Sequence, residues 1–165
     1  MANSNIIKVI KNKIVRELIQ DELIVKVINS NIPFAKSENL INKHIFDYHQ
    51  NPFTLNETTT FLTIQVHIPK PYVSSNNSFV SPEVEIWIIS HHSRMAINDI
   101  PKITVNRNDY LSELIDRKFN GRDDFGFGKL ELTCNEEGGF QKDYLYRRML
   151  FETTDLNNSL CEVEE

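Results

Sequence analysis

Apolar residues recur every three or four positions at the start of the chain and every second position further on. In NSNIIKVIKNKIVRELIQ, Ile7, Ile10, Ile14 and Leu18 share one stripe while Lys8, Lys11, Arg16 and Glu17 turn outward, which predicts an amphipathic helix. Asp21 stands where its carboxylate can accept from the free amides of a second, short helix, DELIVKVIN. IPFAKSENLINKHIF breaks at Pro33 and offers one more helical turn after Ser37, so the segment 1–45 is expected to be mostly helical.

The period then becomes two. IFDYHQ predicts a short strand closed by Asn51-Pro52. TTTFLTIQVHIP predicts a longer one, with Leu62, Ile64, Val66 and Ile68 on one face and Thr63, Gln65 and His67 on the other. YVSSNNSFVS has loop composition, with a tip at Ser74–Ser78. In EVEIWIISHH, Val84, Ile86 and Ile88 face one way, and Trp87 and Ile89 imply at least partial cover on the other. MAINDIPKITVN reads as a connection across one end of the sheet. RNDYLSELIDRKFNG is a helix capped by Asn108, with Leu111, Leu114, Ile115 and Phe119 as its buried stripe. Arg117 and Lys118 suit its last turn, and Gly121 its left-handed stop. GKLELTCN and YLYRRMLFETTD are two final strands joined by a hairpin loop, NEEGGFQKD, and residues 157–165 form a frayed acidic tail. The pattern predicts one α+β domain over residues 1–165. Its antiparallel or mixed sheet of four to five strands is packed by the N-terminal helix and one internal helix.

Composition narrows the function classes. A chain of 165 residues can bury roughly 70% of its unfolded surface in a single core. Its net charge of −5 argues against gripping nucleic acid by counterion release. The apolar runs are too short for a membrane span, and no signal-peptide h-region opens the sequence. Two cysteines, Cys134 and Cys161, are too few for a disulfide framework, which makes the cytosol the default compartment.

The most chemical-looking stretch is DDFGFGKLEL, residues 123–132. A kinase DFG needs a Gly-rich loop, a strand lysine and a catalytic loop that are missing here. A phosphate loop runs from strand to helix, whereas these glycines follow a helix and lead into a strand. Gly126 and Gly128 are therefore expected to be turn residues at positive φ. His91 and His92 are adjacent and point to opposite faces, so they cannot readily share one metal ion. His44 and His49 lack a carboxylate at ligand spacing. Glu83 and Glu85 share a strand face, as in a metal nuclease, but the lysine and upstream aspartate of such a core are missing. SHHSRM has no nucleophile elbow or oxyanion loop, and Cys134 reads as a packed thiol. Arg147 and Arg148 must face opposite ways on their strand. Each either packs its stem and pairs with an acidic neighbour or reaches across a subunit contact.

No catalytic set, metal site or cofactor site emerges, and the chain is not expected to be an enzyme. Its element order does carry a resemblance. FLTIQVHIP paired with EVEIWIIS, then the helix YLSELIDRKF, then KLEL and YRRMLFETTDLN, resembles the tail-terminator proteins of long-tailed bacteriophages and their relatives in the head–tail neck. The likeness covers the chain from about residue 40 onward together with the first helix, and it rests on element order and texture. It implies a structural role: a ring, usually hexameric, that caps the tail tube and joins it to the head connector or stopper. DNA would pass through the lumen without specific binding, and no membrane would be involved. The expected location is the virion tail or neck, with the host cytoplasm during assembly. Another neck or tail-completion protein is the alternative, and a small metal-dependent nuclease or hydrolase a more distant one. Within the ring, Arg147 or Arg148 would meet Asp123 and Asp124 across a subunit contact.

Overall fold

The computed structural model describes residues 3–29, 40–55, 59–69, 73–74, 77–78 and 81–153. Two helices open the chain, α1 (Asn3–Gln20) and α2 (Glu22–Ile28). Asp21 separates and caps them, accepting from the amides of Leu23 and Ile24 at 3.1 Å each. Strand β1 (Ile45–Phe46) is followed by one 3-10 turn, Pro52–Thr54, where Asn51 Oδ1 accepts from the Phe53 amide. Next come β2 (Thr60–His67), a small hairpin of β3 (Val73–Ser74) and β4 (Asn77–Ser78), and β5 (Glu83–His91). Helix α3 (Arg107–Phe119), β6 (Leu130–Phe140) and β7 (Tyr144–Thr153) follow among the described residues.

The main sheet has the order β1-β2-β5-β7-β6. Only the β1–β2 pair is parallel, so this is the mixed sheet of an α+β fold. Strict alternation divides the side chains between two faces. Leu62, Ile64, Val66, Val84, Ile86, Ile88, Met149 and Phe151 lie under the helices, against Ile10, Ile14 and Leu18 of α1, Ile24, Val27 and Ile28 of α2, and Leu111, Ile115 and Phe119 of α3. Most of these are fully buried, each contributing about 1.5–3 kcal/mol relative to exposure. Phe46, Phe61, Ile89 and Tyr144 form a smaller second core on the opposite face.

Two expectations are corrected, and others fall wholly or partly outside the described residues. The cap of α3 is Asn106, whose Oδ1 accepts from the Asp109 amide at 2.9 Å, and not Asn108. Asn108 is buried inside the first turn. It accepts from Ser90 Oγ at 2.6 Å and donates to the Leu145 carbonyl at 3.2 Å, tying the helix to β5 and β7. The expected hairpin loop NEEGGFQKD is mostly strand: β6 runs to Phe140 and only 141–143 turn, with Gln141 at φ 53°. The Ser74–Ser78 tip is the end of the β3–β4 hairpin, with Ser74 in register with Asn77, and its residues 75–76 lie outside the described residues, as do the helical turn after Ser37 and the acidic tail 157–165.

Candidate interaction surface

The loop that looked most like chemistry serves the core. Gly126 and Gly128 have φ of +80° and +102°, as a turn requires. The reversals they allow send Phe125 and Phe127 inward, where both are buried with ring centroids 5.6 Å apart. Arg122 stacks over Phe125 at 4.5 Å, pairs with Asp124 at 2.6 Å, and reaches Glu17 of α1 at 2.9 Å. Lys13 of α1 closes the loop by donating to the Phe125 carbonyl at 2.6 Å. Asp124 is thus tied within its own loop, and Asp123 is exposed beside it.

Arg147 and Arg148 do face opposite sides of the sheet. Arg147 points to the helix side, bonds Asp109 at the start of α3 and lies 3.6 Å from Glu137. With Met95, Asn106, Asn108 and Tyr146 these residues line a cleft of about 410 Å3. Arg148 bonds Glu85 on the other face and lies 3.0 Å from Glu136. Each arginine therefore has carboxylate partners within its own chain. The aspartates lie beyond the C-terminus of α3, whereas Arg147 meets its N-terminus. A helix of 13 residues, roughly 20 Å, separates the two groups, so one chain does not bring them together.

The face that carries Arg148 is the candidate surface. Helices cover the other side, whereas here, among the described residues, residues 46–55 lie over part of β2 and β5, with His49 against Trp87 and Phe53 against Tyr144. Toward β7 and β6 the side chains are half-buried: Trp87, Phe140, Tyr146, Arg148, Leu150 and Cys134. Trp87 and Tyr146 pack at 4.8 Å between ring centroids, Phe140 and Tyr146 at 5.0 Å, and the Arg148 guanidinium lies 5.8 Å from the Trp87 ring. Gly138 makes room for this cluster, since a Cβ there would come within 2.5 Å of the Tyr146 hydroxyl.

Beside the aromatics lies an ion network. Glu85 is nearly buried, accepting from Arg148 and lying 3.1 Å from His67 Nε2. Burial pushes the Glu85 carboxyl up, but Arg148 and then His67 outweigh it and hold the pKa below the usual carboxylate value. The Arg148 guanidinium is correspondingly held above its ordinary value by hydrogen bonds to Glu85 and Glu136. A further row crosses the end of this face, where Glu83 faces Glu152 and Glu152 faces Glu131 in register across three strands.

Sequence reasoning read Glu85 only as a possible metal ligand and assigned Trp87, Tyr146 and Gly138 no joint role. The signal was the matching register of β5 and β7, which places Trp87 opposite Arg148. Among the described residues no three His, Cys, Asp or Glu side chains gather as a metal-holding group, and no helix is long and apolar enough to cross a membrane. His44 Nδ1 lies 2.8 Å from the Thr60 carbonyl and 3.0 Å from Thr59 Oγ1, which locks the strand-edge turn.

Fold and surface define a class: an α+β protein with one helix-covered sheet face and one aromatic, ion-paired face left half-open. Residues 3–153 match the YomW model, and the chain belongs to that family, a phage- and prophage-derived group. It is a phage-related protein. No curated protein matches it.

Proposed function

We propose that this protein is a structural component of the phage head–tail interface, acting as the tail terminator. Copies of it close into a ring, hexameric by resemblance, that caps the tail tube and joins it to the head connector or stopper, with DNA passing through the lumen without specific binding. It works without cofactor or metal and catalyses no reaction. Its place is the tail or neck of the virion, reached through the host cytoplasm during assembly.

The observation that carries this reading is the half-open face of β5, β7 and β6. It is lined by Trp87, Tyr146, Phe140 and Arg148, the residue types that anchor protein contacts, on a phage-related chain. A second reading, another neck or tail-completion protein, keeps the same surface and changes only its partner. The test is a gene disruption followed by electron microscopy. Without the protein, filled heads and tails should accumulate unjoined, and adding purified protein should join them. Normal particles from the disrupted strain would overturn the proposal.

A further inference from the structure

The charge on the two sides of the molecule is unequal. On the outer side of α1, Lys8, Asn12 and Arg16 fall at four-residue spacing along one line, with exposed Val9 and partly exposed Lys11 beside it. Lys11 donates to the Asp47 carbonyl. Among the described residues, Lys8, Lys11 and Arg16 have no carboxylate within ion-pair distance. The opposite face ends in the row Glu83, Glu152 and Glu131, of which, among the described residues, Glu131 alone is paired, with Lys129 at 3.1 Å. Like charges placed directly opposite across strands are destabilising, and among the described residues no cation lies within ion-pair distance of Glu83 or Glu152. Among the described residues, a cationic ridge without carboxylate partners, bearing an apolar step, and the unpaired Glu83 and Glu152 beside an apolar patch thus lie on opposite sides of one molecule.

We infer that the outer ridge of α1 in one copy docks on the half-open face of the next copy. Lys8 and Arg16 then meet Glu83 and Glu152, and Val9 packs on the Tyr146 and Leu150 side of the aromatic patch. The contact joins two different surfaces of the same chain, so it repeats from copy to copy and closes into a ring when the rotation allows. It deepens the ring reading above by naming the two surfaces. The mutual repulsion of Glu83 and Glu152 in the free chain is relieved by the incoming cations, which makes the contact salt-sensitive and sets its orientation.

The test combines crosslinking with charge reversal in the full chain. In a Cys134→Ser, Cys161→Ser background, Val9→Cys protein is mixed with Leu150→Cys protein and oxidised, both as concentrated free protein and within particles. The mixed pair should exceed either same-site pair by about tenfold, because the contact raises its effective concentration. Lys8→Glu with Arg16→Glu should cut incorporation into particles about tenfold, as should Glu83→Lys with Glu152→Lys, and the four changes together should restore it. Circular dichroism checks that each variant is folded. A ring in particles whose mixed pair fails to crosslink overturns this contact and leaves the ring reading standing. A mixed-pair crosslink in a protein absent from particles keeps the contact and removes the head–tail role. Wild-type crosslinking by the Lys8→Glu, Arg16→Glu chain, with loss of binding to duplex DNA shown by the wild type, would make the ridge a nucleic-acid surface and overturn the inference.

Discussion

Arg107 is a charged residue almost wholly removed from water, at 1% exposure. It stays charged by serving backbone carbonyls. Its guanidinium donates to Val27 at 2.5 Å and Arg94 at 2.6 Å, with longer contacts to Ile28 and Ala96. One side chain thus caps the C-terminus of α2, where carbonyls lack helical partners, and holds the 94–96 segment to α3. Burial, and then Arg94, push its pKa down, yet an arginine remains protonated throughout the working range. Arg107→Leu should cost about 2–4 kcal/mol in urea unfolding, since several buried acceptors lose their donor at once. Lysine should not rescue it, because one ammonium cannot span carbonyls on opposite sides of the fork. A loss below about 0.5 kcal/mol would contradict this role. The loop glycines make a second test at this scale. Gly126→Val should lower stability by about 1–3 kcal/mol through its positive φ. ATP or GTP should leave the wild-type melting temperature unchanged, and a saturable rise would revive a phosphate site.

At the scale of elements, each cap and strand can be weighed separately. Asn106→Ala should cost about 1 kcal/mol as the loss of an N-cap. Asn108→Ala should cost more, because it removes two buried hydrogen bonds, leaving Ser90 Oγ with Thr60 Oγ1 alone and taking the side-chain donor from the Leu145 carbonyl. Equal losses by thermal melting would mean that Asn108 does not bridge the helix to the sheet. The helices, and β2 and β5, were legible because their apolar period is uninterrupted. Asn106, Asn108 and Asp109 are all plausible caps by type, and only the position of the first turn decides among them. The far half of β6 was hidden because Glu136, Glu137, Gly138 and Gly139 have poor strand propensity. Pairing with β7 overrides that propensity, and Gly138 is small because Tyr146 lies across it. The candidate surface was illegible for the same reason. Trp87, Glu85, Tyr146 and Arg148 come together through register between strands more than 50 residues apart in sequence, which no local pattern encodes.

The whole molecule should lose stability in acid for reasons that can be located. Hydrogen bonding from Arg122 holds Glu17 below its ordinary pKa. Burial raises Asp21 and Glu85, but the Ile24 amide and Lys118 at the first, and Arg148 and His67 at the second, more than reverse it. A carboxyl with a depressed folded pKa contributes stability that is fully present above its unfolded value and lost as pH falls through the folded one. These groups should therefore leave the melting temperature level above pH 4.5, the ordinary Glu value, and lower it below that point. Glu85→Gln should melt lower at neutral pH and show a shallower fall in acid. Parallel curves for the two proteins would remove Glu85 from the acid response. The account as a whole stands or falls on where the protein sits in a particle. Cryo-electron microscopy of assembled particles, at a resolution that shows the α3 and β6–β7 densities, should place one ring of this fold at the head-proximal end of the tail. Particles lacking it there, with the purified chain monomeric at high concentration, would contradict the account.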